Sequence, residues 1–365
     1  MFKDYYKGKK VLVTGHTGFK GSWLCNWLVS LGAEVSGISD SIITNPSLFE
    51  ITNLEDEIDH HICDVTDSDA FKKLLVELKP DIIFHLAAQA IVSTSYENPL
   101  ETIMTNAYGT ANVCDYLKGC DAPITCILIT SDKCYENVEW EYGYREDDIL
   151  GGKDIYSSSK ACAEIIYASY FHSFLKNKEN VKVCSARAGN VIGGGDWAKD
   201  RIVVDMFKSW TNSNPVKIRS PKATRPWQHV LEPLSGYLHL AASLNKKDNL
   251  SGQSFNFGPR SEQNRTVTNL SEDLFARLKH LLPSEKAYEI IDNKPFHEAG
   301  LLKLCCDKAL MHLNWEANLS YEQCVDFIGD WYIDFLNNND MKLSTSSQIQ
   351  QYTKLAMDKN LTWTK

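Results

Sequence analysis

Gly15-His16-Thr17-Gly18-Phe19-Lys20-Gly21 stands directly between an apolar run, Val11-Leu12-Val13-Thr14, and the stretch Ser22 to Leu31. In that stretch Trp23, Leu24, Trp27, Leu28 and Leu31 recur at helical spacing. A strand, a glycine turn and a helix in this order constrain the fold more than anything else in the chain. A turn without side chains lets a phosphate approach the backbone N–H groups at the helix N-terminus. The spacing is G-x-x-G-x-x-G rather than G-x-G-x-x-G, but the physics of holding a dinucleotide pyrophosphate is the same. Gly15, Thr17, Gly18, Phe19, Lys20 and Gly21 are therefore candidate cofactor contacts.

The same alternation continues. Val35 to Ser39 reads as a second strand, Phe71 to Leu78 as a helix, and Ile82 to Leu86 as a strand after Pro80. Asn106 to Leu117 reads as a helix, Ile124 to Thr130 as an apolar strand, Tyr156 to Phe174 as a long helix and Val181 to Arg187 as a strand. Strands alternating with helices pair in parallel through crossovers. The expected class is α/β, a Rossmann-type doubly wound parallel sheet with a smaller C-terminal substrate-binding region. After about residue 190 the pattern is broken by Gly193-Gly194-Gly195-Asp196-Trp197, Pro221, Pro226-Trp227 and Pro259. Residues 1–190 are expected to form the cofactor domain, with about 226–258 returning to it. About 191–225 and 259–336 should cover the ligand, and 337–365 should be a weakly patterned, peripheral tail.

At 365 residues the chain suits one large or two intimate domains. A net charge of -9 argues against nucleic-acid or anionic-membrane partners. The eleven cysteines are scattered singly (Cys25, Cys63, Cys114, Cys184) or adjacent (Cys305-Cys306), without a C-x-x-C pair. Neither a metal site nor a disulfide framework is expected, and reduced thiols fit a cytoplasmic location. The N-terminus lacks the apolar core of a signal peptide, and no run of about 20 apolar residues suggests a transmembrane helix.

In such folds an acid roughly 20–25 positions after the first glycine holds the adenosine ribose. Asp40 is that acid, although Ser39 sits closer to the expected strand end. An acid there repels a 2′-phosphate and favours NAD over NADP. Asp64-Val65 reads as the end of a third short strand, placed to grip the adenine edge unless Asp64 is a solvated turn residue. Leu86-Ala87-Ala88-Gln89 supplies small side chains where backbone lies against a cofactor.

Farther on stand Ser131-Asp132-Lys133 and Tyr156-Ser-Ser-Ser-Lys160. Residues i and i+4 share a helix face. An ammonium beside a phenol lowers the phenol's pKa, and a phenol so tuned can take a proton from a sugar hydroxyl as hydride leaves the same carbon. A lone Y-x-x-x-K match is weak; downstream of a dinucleotide turn it gains meaning.

With these residues in hand, the chain resembles the extended short-chain dehydrogenase/reductase family of nucleotide-sugar enzymes. The T-G-x-x-G-x-x-G turn, His85-Leu-Ala-Ala-Gln89, Thr105-Asn106-x-x-Gly109-Thr110 and Y-x-x-x-K match in order. Longer stretches are most similar to the branch of 4,6-dehydratases that acts on CDP-glucose. They are Gly15 to Trp23, Thr130 to Asn137, Arg187 to Trp197 and Arg225 to Pro233, within a resemblance spanning about residues 9–330.

The resemblance implies NAD as cofactor, CDP-glucose as substrate and an internal redox cycle. Tyr156 would take the 4-hydroxyl proton as hydride moves from C4 to NAD, water would leave across C5–C6, and hydride would return to C6. Lys160 would orient the ribose and depress the Tyr156 pKa, Ser131 would bond the 4-oxygen, and Asp132 would protonate the departing C6 hydroxyl. Lys133 stands where many relatives carry the glutamate regarded as the C5 base; it would act as base or, if charged, stabilise the enolate. Asn106 and Ala188 fall at cofactor-lining positions, Asn190 and Tyr96 at sugar-pocket positions, and Arg225 at a phosphate-binding position. Many relatives have a second phosphate arginine near position 297, where this chain has His297-Glu298; Arg201 and Arg219 are substitutes. Trp197 and Trp227 are expected to pack rather than stack on the base. Family members pair two helices per subunit, here 105–117 and 156–174, so a homodimer or dimer of dimers is implied. Tyr167, Tyr170 and Phe171 would face a partner or the core. The product would feed a bacterial surface polysaccharide such as O-antigen. The alternatives are a nucleotide-sugar epimerase, which needs no acid and base at 132 and 133, or a dehydratase for another nucleotide hexose.

Overall fold

The structure, a computed structural model, describes residues 1–260, 263–291 and 301–365. The chain runs β1 (Lys10–Thr14), α1 (Phe19–Ser30), β2 (Glu34–Ser39), α2 (Leu48–Ile51), β3 (Asp59–Ile62), α3 (Ser68–Leu78), β4 (Ile82–His85), α4 (Val92–Glu97), α5 (Pro99–Ile103), α6 (Gly109–Gly119), β5 (Ile124–Ile129), α7 (Ile155–Tyr170) and β6 (Val181–Ala188). A later strand, Ser254–Phe257, completes a seven-stranded sheet. All its pairs are parallel, and from that last strand the order is β6, β5, β4, β1, β2, β3. β4 and β5 are buried along their whole length, as strands covered on both faces must be.

Local chemistry sets the boundaries. Asp67 caps α3 by accepting from Ala70 N, and Lys79, left-handed at φ 49°, stops it before Pro80. Asp154 caps α7 in the same way through Ser157 N. α1 starts at Phe19, earlier than the apolar spacing indicates, because Gly18 of the turn is itself the N-cap.

β1 lies between β2 and β4, so the strand order reverses there and the carboxyl ends of β1 and β4 open a crevice. Gly15, Ser39 and Leu86 sit around it. The helix Leu231–Leu244 packs against β5, β6 and α1. Tyr167 faces the core and donates to Val183 O and Gln253 O. Trp197 packs among Phe207, Trp331, Tyr332 and Phe335, and Trp227 is buried with its indole N–H on Arg265 O.

The last segment differs from the expectation of a peripheral, weakly patterned tail. Residues 341–358 form a helix whose Ile349, Tyr352 and Ala356 are buried at helical spacing. Tyr352 donates to Glu232 Oε2 at 2.9 Å, and Trp363 stacks on Tyr352 and Phe2. Gln350, Gln351, Thr353 and Lys354 between these positions hid the stripe. Among the described residues no helix is long and apolar enough to cross a membrane, and all eleven cysteines are free thiols.

Candidate active site

The glycine turn closes on itself. Gly15 has φ +73°, and a Cβ there would lie 2.8 Å from Ala87 N; at Gly21 it would lie 2.1 Å from Gly15 O. No side chain caps α1, and no acid occupies its first turn. Its end is thus a backbone cradle that fits a dinucleotide pyrophosphate. Around it, Ala87 N donates to Thr14 Oγ1, and Asn106 bonds both Gln89 N and Gln89 O. Leu86, Ala87, Ala88 and Gln89 are part-exposed on the crevice floor, with Asn106 and Ala188 buried behind.

Around the ends of β2 and β3 the structure sets the sequence candidates in different surroundings. Ser39 is buried at the end of β2; its hydroxyl accepts from Thr17 N at 3.3 Å and shares a 2.9 Å hydrogen bond with His16 Nδ1. Asp40 is exposed beside it. Asp64-Val65 does not end a strand: β3 stops at Ile62, and the exposed Asp64 closes a turn by accepting from Thr66 N at 2.8 Å. Val65 is buried against Gly109. Sequence reasoning missed His16. Its ring fills the space a side chain at Gly37 would need and meets His60 Nδ1 at 2.6 Å. Burial lowers it to about 4, so this imidazole is neutral.

Two elements bring the reacting groups together. Beyond β5, Ser131 caps a short turn, accepting from Lys133 N at 3.3 Å and donating to Asp132 Oδ1 at 2.9 Å. The first turn of α7 presents Tyr156, on whose phenol Ser131 acts. Asp132 is buried, and burial raises its carboxyl above the usual range against the pull of Lys133, Ser131, Arg225 and Lys20. A carboxyl with raised pKa is the form suited to donate a proton. Gly189 leaves room for it: a Cβ there would sit 3.0 Å from Asp132 Oδ2.

The expected lowering of Tyr156 by Lys160 is not what this structure displays. Burial raises the phenol, and the foremost opposing influences are the Arg201 guanidinium and the Ser131 hydrogen bond. Lys160 is itself buried and lowered by that burial to about 8. Lys20 is also lowered to about 8, by burial first and then by Arg201 and Lys160. Lys20 thus ties the glycine turn to the reacting groups. A cation in the first turn of a helix opposes the helix dipole, and this oddity was the sequence signal for it.

Behind α7 lies a set that sequence reasoning did not assign. Glu164, one turn beyond Lys160, forms a buried pair with Arg187, Nη2 to Oε2 at 2.9 Å and Nε to Oε1 at 3.0 Å. Thr130 and Ser185 donate to the same carboxylate. Burial pushes Glu164 up, but Arg187 and these donors outweigh it and hold the carboxyl below its ordinary value. Arg187 also donates to Tyr135 Oη at 2.7 Å, which donates to Asn256 Oδ1 at 2.8 Å. The i, i+4, i+8 spacing of Tyr156, Lys160 and Glu164 was the signal.

Among the arginine candidates, Arg225 acts electrostatically on Asp132, and Arg201 acts on Tyr156 while donating to Ala90 O at 3.0 Å. Arg219 instead acts electrostatically on Asp205. Asn190 is part-buried and pairs through its carbonyl with Gln228 N. Tyr96 is half-exposed on α4. His297 and Glu298 lie outside the described residues.

Comparisons with known proteins agree with this geometry. A family model described as GDP-mannose 4,6 dehydratase matches residues 12–328. The chain is 43% identical over 354 residues to a CDP-glucose 4,6-dehydratase of Salmonella typhimurium, covering 96% of this chain and 98% of that one. Among solved structures, an epimerase from Methanothermobacter thermautotrophicus has a TM-score of 0.78 at 22% identity, covering 92% of this chain and 96% of that one. A dTDP-glucose 4,6-dehydratase from Streptomyces venezuelae has a TM-score of 0.76 at 17% identity, with 91% and 99% covered. These two show the shared fold. The family model and the Salmonella relative, each spanning most of the sequence, show that the chain belongs to the GDP-mannose 4,6 dehydratase family.

Proposed function

We propose that this chain converts CDP-glucose to CDP-4-keto-6-deoxyglucose with NAD as a recycled cofactor. The observation that carries the reading is the meeting of Tyr156, Ser131 and a buried Asp132 beside the glycine cradle. The 43% identity to a CDP-glucose 4,6-dehydratase supports the nucleotide. When bound, NAD supplies a hydride acceptor at C4 and a donor at C6.

The chain's own residues divide the remaining work. Tyr156, with Arg201 and Ser131 opposing the burial that raises its phenol, takes the 4-hydroxyl proton, and Ser131 steadies the 4-oxygen. The 4-ketone then acidifies the C5 proton. Lys133, half-buried next to Asp132, is placed to receive that proton or to stabilise the enolate. Asp132 protonates the C6 oxygen as it leaves. Lys160 and Asn106 belong to the cofactor side, while Arg201 and Arg225 meet the diphosphate with bidentate forks. The free thiols fit a reducing, cytoplasmic setting. Leu100, Met104, Tyr108, Ile165 and Phe174 are exposed on or beside α5, α6 and α7, and this apolar face suits a homodimer. A 4-keto-6-deoxy product fits supply of deoxysugars to a surface polysaccharide.

The test is incubation with NAD and, separately, CDP-, dTDP-, UDP- and GDP-glucose, followed by alkali and the absorbance of a 4-keto-6-deoxy sugar. Signal with CDP-glucose is expected. Signal with none of them would sink the dehydratase reading, and a C4 epimer in its place would mark an epimerase.

A further inference from the structure

Lys199, Asp200 and Arg201 form a short exposed strap between two buried anchors. On one side Asp196 and Trp197 are buried, and Asp196 Oδ1 accepts from Ala198 N at 3.1 Å. On the other begins the helix Ile202–Thr211, with Val203, Val204 and Met206 buried. Each strap residue has a partner on the segment that follows the crevice floor. Lys199 Nζ lies 3.1 Å from Glu97 Oε2, Asp200 Oδ2 accepts from Ser93 Oγ, and Arg201 Nη2 donates to Ala90 O at 3.0 Å. Ser93 and Glu97 stand one turn apart on α4 and share a face, so consecutive strap residues are laid along one side of that segment.

Contacts of this kind stabilise little one by one. The Lys199 and Glu97 side chains are 55% and 61% exposed, and an exposed ion pair is nearly neutral in energy. Holding a conformation is a different task. Asp200 has φ +57°, a left-handed setting that a residue with a Cβ keeps only where its surroundings hold it. Arg201 is exposed, and a guanidinium on a long stem keeps one rotamer only when it is anchored. The anchor leads to the reacting groups. α4 packs on α7, and Gln89, next to Ala90, is tied through Asn106 to Ser159 of α7. The Arg201 charge accordingly acts on Tyr156, Lys20 and Asp196.

We propose that Ser93 and Glu97 are positioning residues: from α4 they hold the strap, and through it they keep the Arg201 guanidinium at the Tyr156 end of α7. Neither touches the reacting atoms. With the strap loose, Ser131 still opposes the burial of the Tyr156 phenol, while Asp132 on the loop after β5 and Asp154 before α7 go on raising it. Lys160, on the same helix, stays where it is. Losing the pull of Arg201 therefore moves the proton acceptor to more alkaline pH.

A double-mutant cycle tests this; its activity assay, unlike the strap itself, rests on the dehydratase reading above. Ser93→Ala with Glu97→Gln is made in the wild-type protein and beside Arg201→Met, and each is assayed with NAD and CDP-glucose. In the wild-type background kcat/KM should fall about tenfold, and the ascending limb of its pH profile should move to higher pH. Beside Arg201→Met the same pair of changes should alter kcat/KM less than about twofold, because the group they position is gone. An unchanged kcat/KM, an unmoved limb or an equal fall in both backgrounds would overturn the proposal. Hydrogen exchange of the backbone at 198–201, read by mass spectrometry, needs no turnover. It should be faster in the Ser93→Ala, Glu97→Gln protein, and equal exchange would also overturn the proposal. If the wild-type protein converts no nucleotide hexose, the dehydratase reading falls and the exchange measurement decides the strap.

Discussion

Two buried carboxylates, one on α7 and one on the loop after β5, flank the reacting groups from two elements and are driven in opposite directions. Glu164, on α7, receives the forked Arg187 guanidinium and hydroxyls from Thr130 and Ser185, and its carboxyl is held below the ordinary range. Asp132, on the loop after β5, has a hydroxyl bond from Ser131 and the fields of neighbouring cations, and burial leaves it raised. Both are almost inaccessible to water, at 2% and 4% exposure, so partners rather than depth decide the outcome. The α7 wall is a finished structural unit that fixes the positions of Tyr156 and Lys160. The loop wall keeps an acid that is costly to ionise, which is what protonation of a leaving hydroxyl needs.

The largest expected effect falls on the α7 wall. Tyr156→Phe should lower turnover about 10²–10⁴-fold while nucleotide-sugar affinity, read by calorimetry, stays within a few-fold. Asp132→Asn should cost about 10²-fold or more in turnover and yet make the protein more stable at neutral pH. The sign follows from linkage: a carboxyl whose folded pKa exceeds its unfolded value of 3.8 contributes stability below 3.8 that is lost as pH rises through the folded value. Urea melts should therefore show the variant's gain at neutral pH and its disappearance in acid. Glu164→Gln should do the reverse. It leaves Arg187 buried with a weakened partner and should cost about 3–5 kcal/mol at neutral pH. Because the Glu164 folded value lies below the unfolded 4.5, its stabilisation is present above 4.5 and is lost as pH falls through the folded value. The penalty should shrink accordingly in acid. If the two variants move stability in the same direction, the contrast between the walls is wrong. Smallest of all, Asp64→Ala should change NAD affinity less than about threefold, since that carboxylate closes a turn.

The same contrast explains what was legible in the sequence. The glycine turn and the Tyr156–Lys160 spacing are local patterns on a strand end and a helix face, so they could be read directly. Glu164 continued that helix face but was not read, because its partner Arg187 comes from a strand 23 residues on. The loop wall draws on Ser131, Gly189 and Arg225, which no periodicity links. For that reason Arg201 and Arg219 are equal candidates in the sequence; in the structure the charge of the first acts on Tyr156 and that of the second on Asp205. Asp64-Val65 was read as a strand end because an acid just past a short strand and an acid closing a turn look alike in sequence. The C-terminal helix misled because polar residues separate its buried Ile349, Tyr352 and Ala356.

The central claim is that one active site oxidises C4, removes water across C5–C6 and returns the same hydride to C6. CDP-glucose carrying deuterium at C4, converted in ordinary water with NAD, tests it in one spectrum. The account predicts CDP-4-keto-6-deoxyglucose with the deuterium at C6. A C4 epimer that keeps the label at C4, or a ketone whose deuterium has been lost to solvent, would contradict it.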